Sequence, residues 1–239
     1  MSEPDTLVLT AASASCSLGE DRHAILEAML EDGIAIDVAP GIEGTFQPDV
    51  EGGPTPAVRA AQVPEAAPEI GGVPDRAERL LARSIRRGLE EAGLDPETIL
   101  AMRAAGLRFE TIFGTTLGGM RHLGAGIREG RLDAMARSTT STVTRAALEG
   151  TGLPLGGSTV SAACASGVSA LALAGTTILA GEADLVVAIA YDPISEFAYA
   201  GFNCLRLVSE GPLRPFTADR TGMRLGEGYG VFVVERESA

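Results

Sequence analysis

The 239-residue sequence is poor in the residue types that mark several common classes of protein. It has no tryptophan, aromatic residues make up only 4% of it, and all 19 basic residues are arginine. A P-loop needs a lysine beside the phosphates, so the absence of lysine excludes this nucleotide-binding motif. Only two histidines and three cysteines are present.

Positive charge and long apolar runs are also scarce. The net charge of −13 argues against a nucleic-acid partner, because phosphate contacts need a basic surface. No apolar run approaches the roughly 20 residues of a membrane-spanning helix. The sequence therefore predicts neither nucleic-acid binding nor a membrane span.

The three cysteines, Cys16, Cys164 and Cys204, form an odd set without a close pair. Such spacing predicts neither a disulfide framework nor a metal site. The N-terminal residues 1–5 are acidic and lack the basic start of a signal peptide. We therefore expect a cytoplasmic protein.

What the sequence does have is small apolar residues arranged in alternating strands and helices. Hydrophobic residues make up 45% of the chain, with a mean hydropathy of +0.18, which is enough for a substantial core. The patterns predict strands at 6–10, 109–113, 159–162, 184–190 and 230–235, and helices at 22–30, 74–92, 120–132 and 164–180. Such alternation favours a layered α/β fold.

Residues 38–74 differ in composition from the rest of the chain. They hold seven of the 13 prolines together with several glycines, which predicts an irregular excursion rather than a core element. This composition is typical of a linker, and an extended loop over the same domain is the alternative.

The most informative segment runs from Ser158 to Gly175. It has the pattern of a short strand that leads into Cys164 and then into a helix of small residues. Unpaired N–H groups and the positive end of a helix stabilise a thiolate at such a junction. A thiolate attacks thioesters readily and is a good leaving group, so Cys164 is a candidate acyl-accepting nucleophile. The alternative is a buried structural cysteine.

This segment resembles the active-site region of the β-ketoacyl synthases. Ala162–Ala–Cys–Ala–Ser–Gly167 differs from their T-A-C-A-S/T-G motif only in its first residue. Other family motifs are matched in order by Gly114–Gly119, Gly181–Ala188, Gly201–Phe202 with Arg206 and Ser209, Arg214–Phe216 with Arg220 and Gly222, and Gly226–Gly230. An ordered series of this kind is far more specific than any single motif.

The resemblance implies a fold and a reaction. The fold would be the N-terminal half of a thiolase-like α/β layered fold, a mixed sheet with buried and covering helices, formed as one domain by residues 1–239. Cys164 would accept an acyl group from the phosphopantetheine of an acyl carrier protein, with no further cofactor, and decarboxylative Claisen condensation would follow. Leu117 and Phe202 fall at matched positions near the acyl pocket, where ordinary core residues are an equally good interpretation.

The same resemblance shows what these 239 residues do not supply. The second half of such a synthase carries two histidines and a lysine, and neither His23 nor His122 lies in a matching motif. We therefore expect the histidines to come from another polypeptide, with a C-terminal-half partner or a homo-oligomer as the assembly. Two alternatives remain open, namely a non-catalytic partner subunit of a synthase assembly and a simple cysteine acyltransferase or thioesterase.

Several residues depart from the family pattern. Ala188–Asp192 stands where the family has a Gly-Gly pair, and Thr217, Thr221 and Tyr229 replace two aspartates and a small residue.

Docking of an acidic carrier protein needs a local basic patch. Candidate patches are Arg83 with Arg86 and Arg87, and Arg121 with Arg128 and Arg131. The favoured interpretation is that these arginines form the solvated faces of helices.

Overall fold

A mixed five-stranded sheet in the order β1-β7-β6-β4-β5 forms the centre of the protein. The computed structural model describes residues 6–31, 33, 36–38, 58–64, 76–209 and 211–237. The strands of this sheet are β1 (Leu7–Ser15), β4 (Phe109–Gly114), β5 (Ser158–Val160), β6 (Leu185–Asp192) and β7 (Gly228–Arg236). Strands β4, β5 and β6 are parallel, whereas β7 is antiparallel to β6 and to β1. A separate two-stranded ribbon pairs β2 (Asp37–Val38) with β3 (Arg59–Ala60).

Helices cover both faces of the sheet. The helices are α1 (Arg22–Leu30), α2 (Arg76–Glu91), α3 (Pro96–Ala104), α4 (Met120–Glu129), α5 (Leu132–Ala136), α6 (Thr140–Leu148), α7 (Ser166–Leu179) and α8 (Glu196–Cys204). One hydrophobic cluster joins α2, α3 and α6 to one face, and a second joins α7 to the other. The layered α/β fold predicted from the sequence is therefore confirmed.

The sequence of strand β6 is apolar throughout because both of its faces are covered. Leu185, Val187 and Ile189 belong to the cluster on the α2 side, whereas Val186 and Ala188 belong to the cluster on the α7 side. Successive side chains of a strand point to opposite faces, so a strand covered on both faces reads as a continuous apolar run.

Local capping interactions set several helix boundaries. The Asp21 carboxylate accepts hydrogen bonds from the backbone N–H groups of His23 (2.8 Å) and Ala24 (3.1 Å) and starts α1. Asp95 caps α3 in the same way through the Thr98 N–H, at 2.7 Å. Gly93, with φ +69°, ends the turn after α2, as expected of a glycine at a helix C-terminus.

Other predictions need correction. The helix predicted over 120–132 ends at Glu129, because Gly130 adopts φ +64°, and a second short helix, α5, follows. The sequence patterns did not predict helices at α3, α5, α6 or α8. The helix predicted over 164–180 runs from Ser166 to Leu179 and is buried on one side only, because a single sheet packs against it.

Most of the proline-rich stretch 38–74 lies outside the described residues. Within its described part, Val58, Ala60 and Val63 are buried against the domain, as the loop interpretation predicts. Among the residues that the structure describes, no helix combines the length and apolar composition that a membrane crossing requires.

Candidate active site

The candidate site lies where the carboxyl ends of the parallel strands meet. Strand β4 ends at Gly114, β5 leads to Cys164, and β6 ends at Asp192. These ends surround a cleft of about 240 Å³ in which Cys164 is exposed. The cleft is lined by Gly114, Ala163, Cys164, Ser166, Gly167, Ala190, Tyr191, Asp192, Gly228 and Gly230. Ligands of open α/β sheets commonly bind at this edge.

The turn that presents Cys164 has an unusual backbone. Ala163 has φ +49°, in the left-handed region that side chains other than glycine rarely adopt. Its carbonyl oxygen accepts hydrogen bonds from the Ser166 hydroxyl (2.6 Å), the Ser166 N–H (3.0 Å) and the Thr116 hydroxyl (2.8 Å). The Ser166 hydroxyl also accepts from the Ala162 N–H at 2.9 Å. These bonds hold the sharp turn immediately before α7.

Close backbone contacts bring the start of α7 against the sheet. A Cβ atom on Gly114 would lie 2.3 Å from the Ser166 carbonyl oxygen, so only glycine fits there. A Cβ atom on Gly167 would lie 2.9 Å from the Ala190 Cβ. The bulk introduced in β6, where the family has glycines, is therefore accommodated by a glycine on the facing helix.

The glycine-rich turn at 114–119 is occupied by a carboxylate of the protein itself. Asp192 Oδ1 accepts hydrogen bonds from the Thr115 hydroxyl (2.8 Å), the Thr116 N–H (2.9 Å) and the Leu117 N–H (2.8 Å). The Thr115 hydroxyl in turn accepts from the Gly118 N–H at 3.0 Å. Backbone N–H groups of such a turn could bind a phosphate, but here they already donate to the Asp192 carboxylate. The turn is therefore not a phosphate loop.

Leu117 and Phe202 do not line the cleft with Cys164. The Leu117 side chain is half-buried against the cluster that includes Ile194 and Ala198, and only its N–H reaches the cleft wall, through Asp192. Phe202 lies on α8 with 36% of its surface exposed. Their role in acyl-chain binding remains a prediction.

The two histidines lie away from the cleft. His23 is exposed in the first turn of α1, as predicted. His122 is buried, with its Nε2 atom 3.2 Å from the Glu78 carboxylate, which also pairs with Arg137. Burial raises the pKa of Glu78, but the bonds and charges of His122 and Arg137 outweigh it and lower the pKa below its ordinary value. His122 is thus a buried packing residue.

Four of the six arginines proposed for carrier docking are engaged with other protein groups, whereas Arg86 of the first patch is exposed. Arg83 and Arg87 both pair with Glu20, and Arg131 pairs with Glu129 and Asp133. Arg121 donates to the Ile194 carbonyl oxygen at 3.1 Å. These contacts favour the interpretation of solvated, ion-paired helix faces.

The sequence analysis assigned no role to two residues of the site, Thr116 and Asp192. The residues they bond lie far away in the chain, as with Thr116 and Ala163, which are separated by 47 positions. One signal was available for Asp192, because a carboxylate at the end of an apolar parallel strand lies at the edge where sites form.

Comparison with known proteins shows which family this chain belongs to. Residues 5–239 match the family described as "Beta-ketoacyl synthase, N-terminal domain". The chain belongs to this family. The resemblance carried by the sequence motifs is therefore confirmed, and the domain is of the ketosynthase condensing-enzyme type.

The relatives show how much of a synthase these residues represent. The domain is 33% identical over 193 residues to the tetracenomycin polyketide synthase ketoacyl synthase alpha subunit of Streptomyces glaucescens, covering 72% of this chain and 44% of the relative. It is 28% identical over 243 residues to Nodulation protein E of Rhizobium sp. (strain N33), covering 96% of this chain and 57% of the relative. The chain thus spans about half the length of these curated relatives.

A solved structure confirms the fold. A β-ketoacyl synthase from Burkholderia phymatum STM815 superposes with a TM-score of 0.75 at 23% identity. The match covers 98% of this chain and 60% of that one. The thiolase-like fold class inferred from the motifs is therefore correct.

Proposed function

We propose that Cys164 of this domain accepts an acyl group from a carrier-bound thioester, as the first half-reaction of a ketosynthase. The observation that carries the proposal is the exposed Cys164 thiol on a strained, hydrogen-bonded turn at the mouth of a cleft. Glycine and alanine line much of this cleft, which leaves room for a thioester to approach the sulfur. Membership of the family supports the same role.

The half-reaction is a thioester exchange. The Cys164 thiolate attacks the acyl carbonyl carbon, a new C–S bond forms, and the carrier thiolate leaves and takes up a proton. In the condensation that follows, a malonyl-type extender loses CO₂ and its carbanion attacks the acyl–Cys164 carbonyl. The new C–C bond expels the Cys164 thiolate, which is then free for another cycle. The acyl groups would arrive on the phosphopantetheine arm of an acyl carrier protein.

The groups that activate the extender would come from outside residues 1–239. Both histidines of these residues are placed elsewhere, one exposed on α1 and the other buried beside Glu78. We therefore propose a histidine-bearing C-terminal half, or a second copy of the protein within an oligomer, as the partner that completes the site.

The acylation step can be tested directly by mass spectrometry. The protein is incubated with an acyl N-acetylcysteamine thioester, which mimics the end of the phosphopantetheine arm, and its intact mass is followed. We expect one acyl group on the wild type, none on Cys164→Ala and one on the matched control Cys204→Ala. Acylation that persists in Cys164→Ala would refute the proposal.

A second candidate is an acyl transfer that ends without condensation, favoured because none of the described residues that line the cleft is a histidine. With both an acyl and a malonyl thioester present, residues 1–239 alone should form acyl–Cys164 and no β-ketoacyl product. A β-ketoacyl product from the purified chain would overturn the requirement for an external histidine pair. Release of the free acid from acyl–Cys164 would instead favour a thioesterase.

A further inference from the structure

The backbone immediately before Cys164 needs support from its surroundings. Ala163 has φ +49°, and a residue with a side chain keeps this conformation only where neighbouring groups hold it. The dihedral angles of Ala163 set the direction in which the chain enters Cys164, and therefore where the thiol lies relative to the start of α7. Whatever fixes the Ala163 peptide also fixes the thiol.

Two side chains bond the Ala163 carbonyl oxygen, and they differ in origin. Ser166 belongs to the same turn and donates both its hydroxyl and its N–H. Thr116 belongs to the turn after β4 and donates its hydroxyl across 2.8 Å. Its hydroxyl also lies 3.3 Å from the Ser166 hydroxyl. Thr116 therefore ties the cysteine turn to the sheet, whereas Ser166 ties it only to itself.

Thr116 is itself held from the neighbouring strand. Its N–H donates to Asp192 Oδ1 at 2.9 Å, between the bonds from Thr115 and Leu117 to the same oxygen. Strands β4 and β6 are parallel neighbours, with Gly114 paired to Ala190, so the Asp192 carboxylate lies directly beside this turn. The result is a continuous chain of bonds from the end of β6 through Thr116 to the Ala163 carbonyl.

We propose that Thr116, anchored by Asp192, is a positioning residue that holds the Cys164 thiol in its reactive orientation. It acts through the Ala163 peptide. This inference rests on the proposed role of Cys164 as the nucleophile. Removing the hydroxyl should slow every reaction of the Cys164 thiol while the rest of the protein stays intact, since Thr116 is exposed and its loss opens no cavity in the core.

The test compares Thr116→Val, which keeps the shape but loses the hydroxyl, with Thr116→Ser, which keeps the hydroxyl. Iodoacetamide labelling of Cys164 and Cys204 is followed by peptide mass spectrometry in the same sample. We expect Thr116→Val to slow Cys164 about fivefold, the size of one lost hydrogen bond, and Thr116→Ser to restore the rate. The matched control is Thr176→Val on α7, whose exposed hydroxyl bonds the Ala172 carbonyl oxygen at 3.0 Å.

Each outcome decides one claim. A general loosening of the fold would alter the labelling of both exposed cysteines, so a fall confined to Cys164 indicates lost positioning. If Cys164 outpaces Cys204 in the wild type and Thr116→Val leaves its rate unchanged, the positioning inference is wrong and the nucleophile proposal stands. If Cys164 does not outpace Cys204 in the wild type, the nucleophile proposal itself fails. Should circular dichroism show Thr116→Val unfolded, Thr116→Ala gives the same comparison.

Discussion

At the residue scale, the Glu227 carboxylate joins three segments of the domain. Its side chain is fully buried and accepts hydrogen bonds from the Val63 N–H (2.9 Å), the Ile194 N–H (3.3 Å) and the Arg76 guanidinium (2.5 Å). One carboxylate thereby connects the 58–64 segment, the chain between β6 and α8, and the start of α2. These contacts give Glu227 a structural role.

We predict that Glu227→Ala lowers the free energy of unfolding by about 3–5 kcal/mol, because it removes an acceptor from the partly buried Arg76 guanidinium and from two buried N–H groups. Glu227→Gln keeps a neutral acceptor and should cost less. Urea denaturation measures both values. Glu90→Gln, an exposed change on α2, is the matched control and should be neutral. If the Glu227→Ala protein were as stable as the wild type, the claim that Glu227 holds the three segments together would be wrong.

The pair of Arg108 and Asp184 gives a prediction about pH. Side-chain and backbone hydrogen bonds from Arg108 lower the pKa of Asp184 to about 2. A pKa lowered by folding stabilises the protein above the unfolded value, and this contribution is lost as the pH falls through the folded value. The stability difference between wild type and Asp184→Asn should therefore be constant above about pH 5 and vanish near pH 2.

The size of this difference should be small, since both side chains are partly exposed. Urea midpoints measured from pH 7 to pH 2 give the comparison. Glu182→Gln, which removes a similar charge from an exposed position two residues away, is the matched control. A difference that grows towards acid pH would contradict the assigned direction of the Asp184 pKa.

Sequence reasoning at this scale singled out Cys164 as the candidate nucleophile but did not find the residues that hold its turn. Cys164 stands in a contiguous motif beside a recognisable strand and helix, so its position in the chain was sufficient. Thr116 and Asp192 act through contacts that span 47 and 76 positions, and only the parallel pairing of β4 with β6 brings them to the cysteine turn. No local pattern encodes such a contact.

At the element scale, the packing of β4 against α7 depends on Gly114. A Cβ atom there would lie 2.3 Å from the Ser166 carbonyl oxygen and 2.9 Å from the Gly167 Cα, and neither backbone atom can move without shifting the helix. The same helix start presents Cys164. The closeness of strand and helix therefore matters for both stability and reactivity.

We predict that Gly114→Ala destabilises the protein by about 1–3 kcal/mol and slows the labelling of Cys164, since α7 must move away from the sheet. Gly201→Ala on α8 is the matched control, because no atom lies within 4 Å of its added Cβ. The control should be unchanged or more stable by up to about 1 kcal/mol. Equal effects of the two substitutions would show that the close contact between β4 and α7 determines neither the stability nor the reactivity of Cys164.

The helices illustrate which elements a sequence can reveal. Helix α2 has apolar residues at helical spacing, and the predicted helix was found. Helix α6 is rich in threonine and lacks such a pattern, and it is stabilised by burying Val143, Ala147 and Leu148 against the α2 layer. Helices of this kind depend on tertiary packing rather than on intrinsic propensity, so the local sequence did not indicate them.

At the scale of the whole molecule, helix α7 is covered by the sheet on one side and exposed on the other. Helix α7 buries Ala170, Ala174 and Ile178 against the sheet. Its outer side leaves Val168 74% and Leu179 52% exposed. Among the described strands, β5 is an edge strand that pairs with β4 alone. Exposed apolar surface and an open strand edge both favour association.

We therefore predict that the protein associates, with itself or with a histidine-bearing partner, through the outer side of α7. Sedimentation velocity across a micromolar dilution series should show species larger than a monomer for the wild type. Val168→Glu should shift these species towards monomer, because a charge cannot be buried there without a partner. Leu132→Glu, at a site 79% exposed on α5, is the matched control and should leave the distribution unchanged. A compact wild-type monomer at every concentration would show that α7 needs no covering layer.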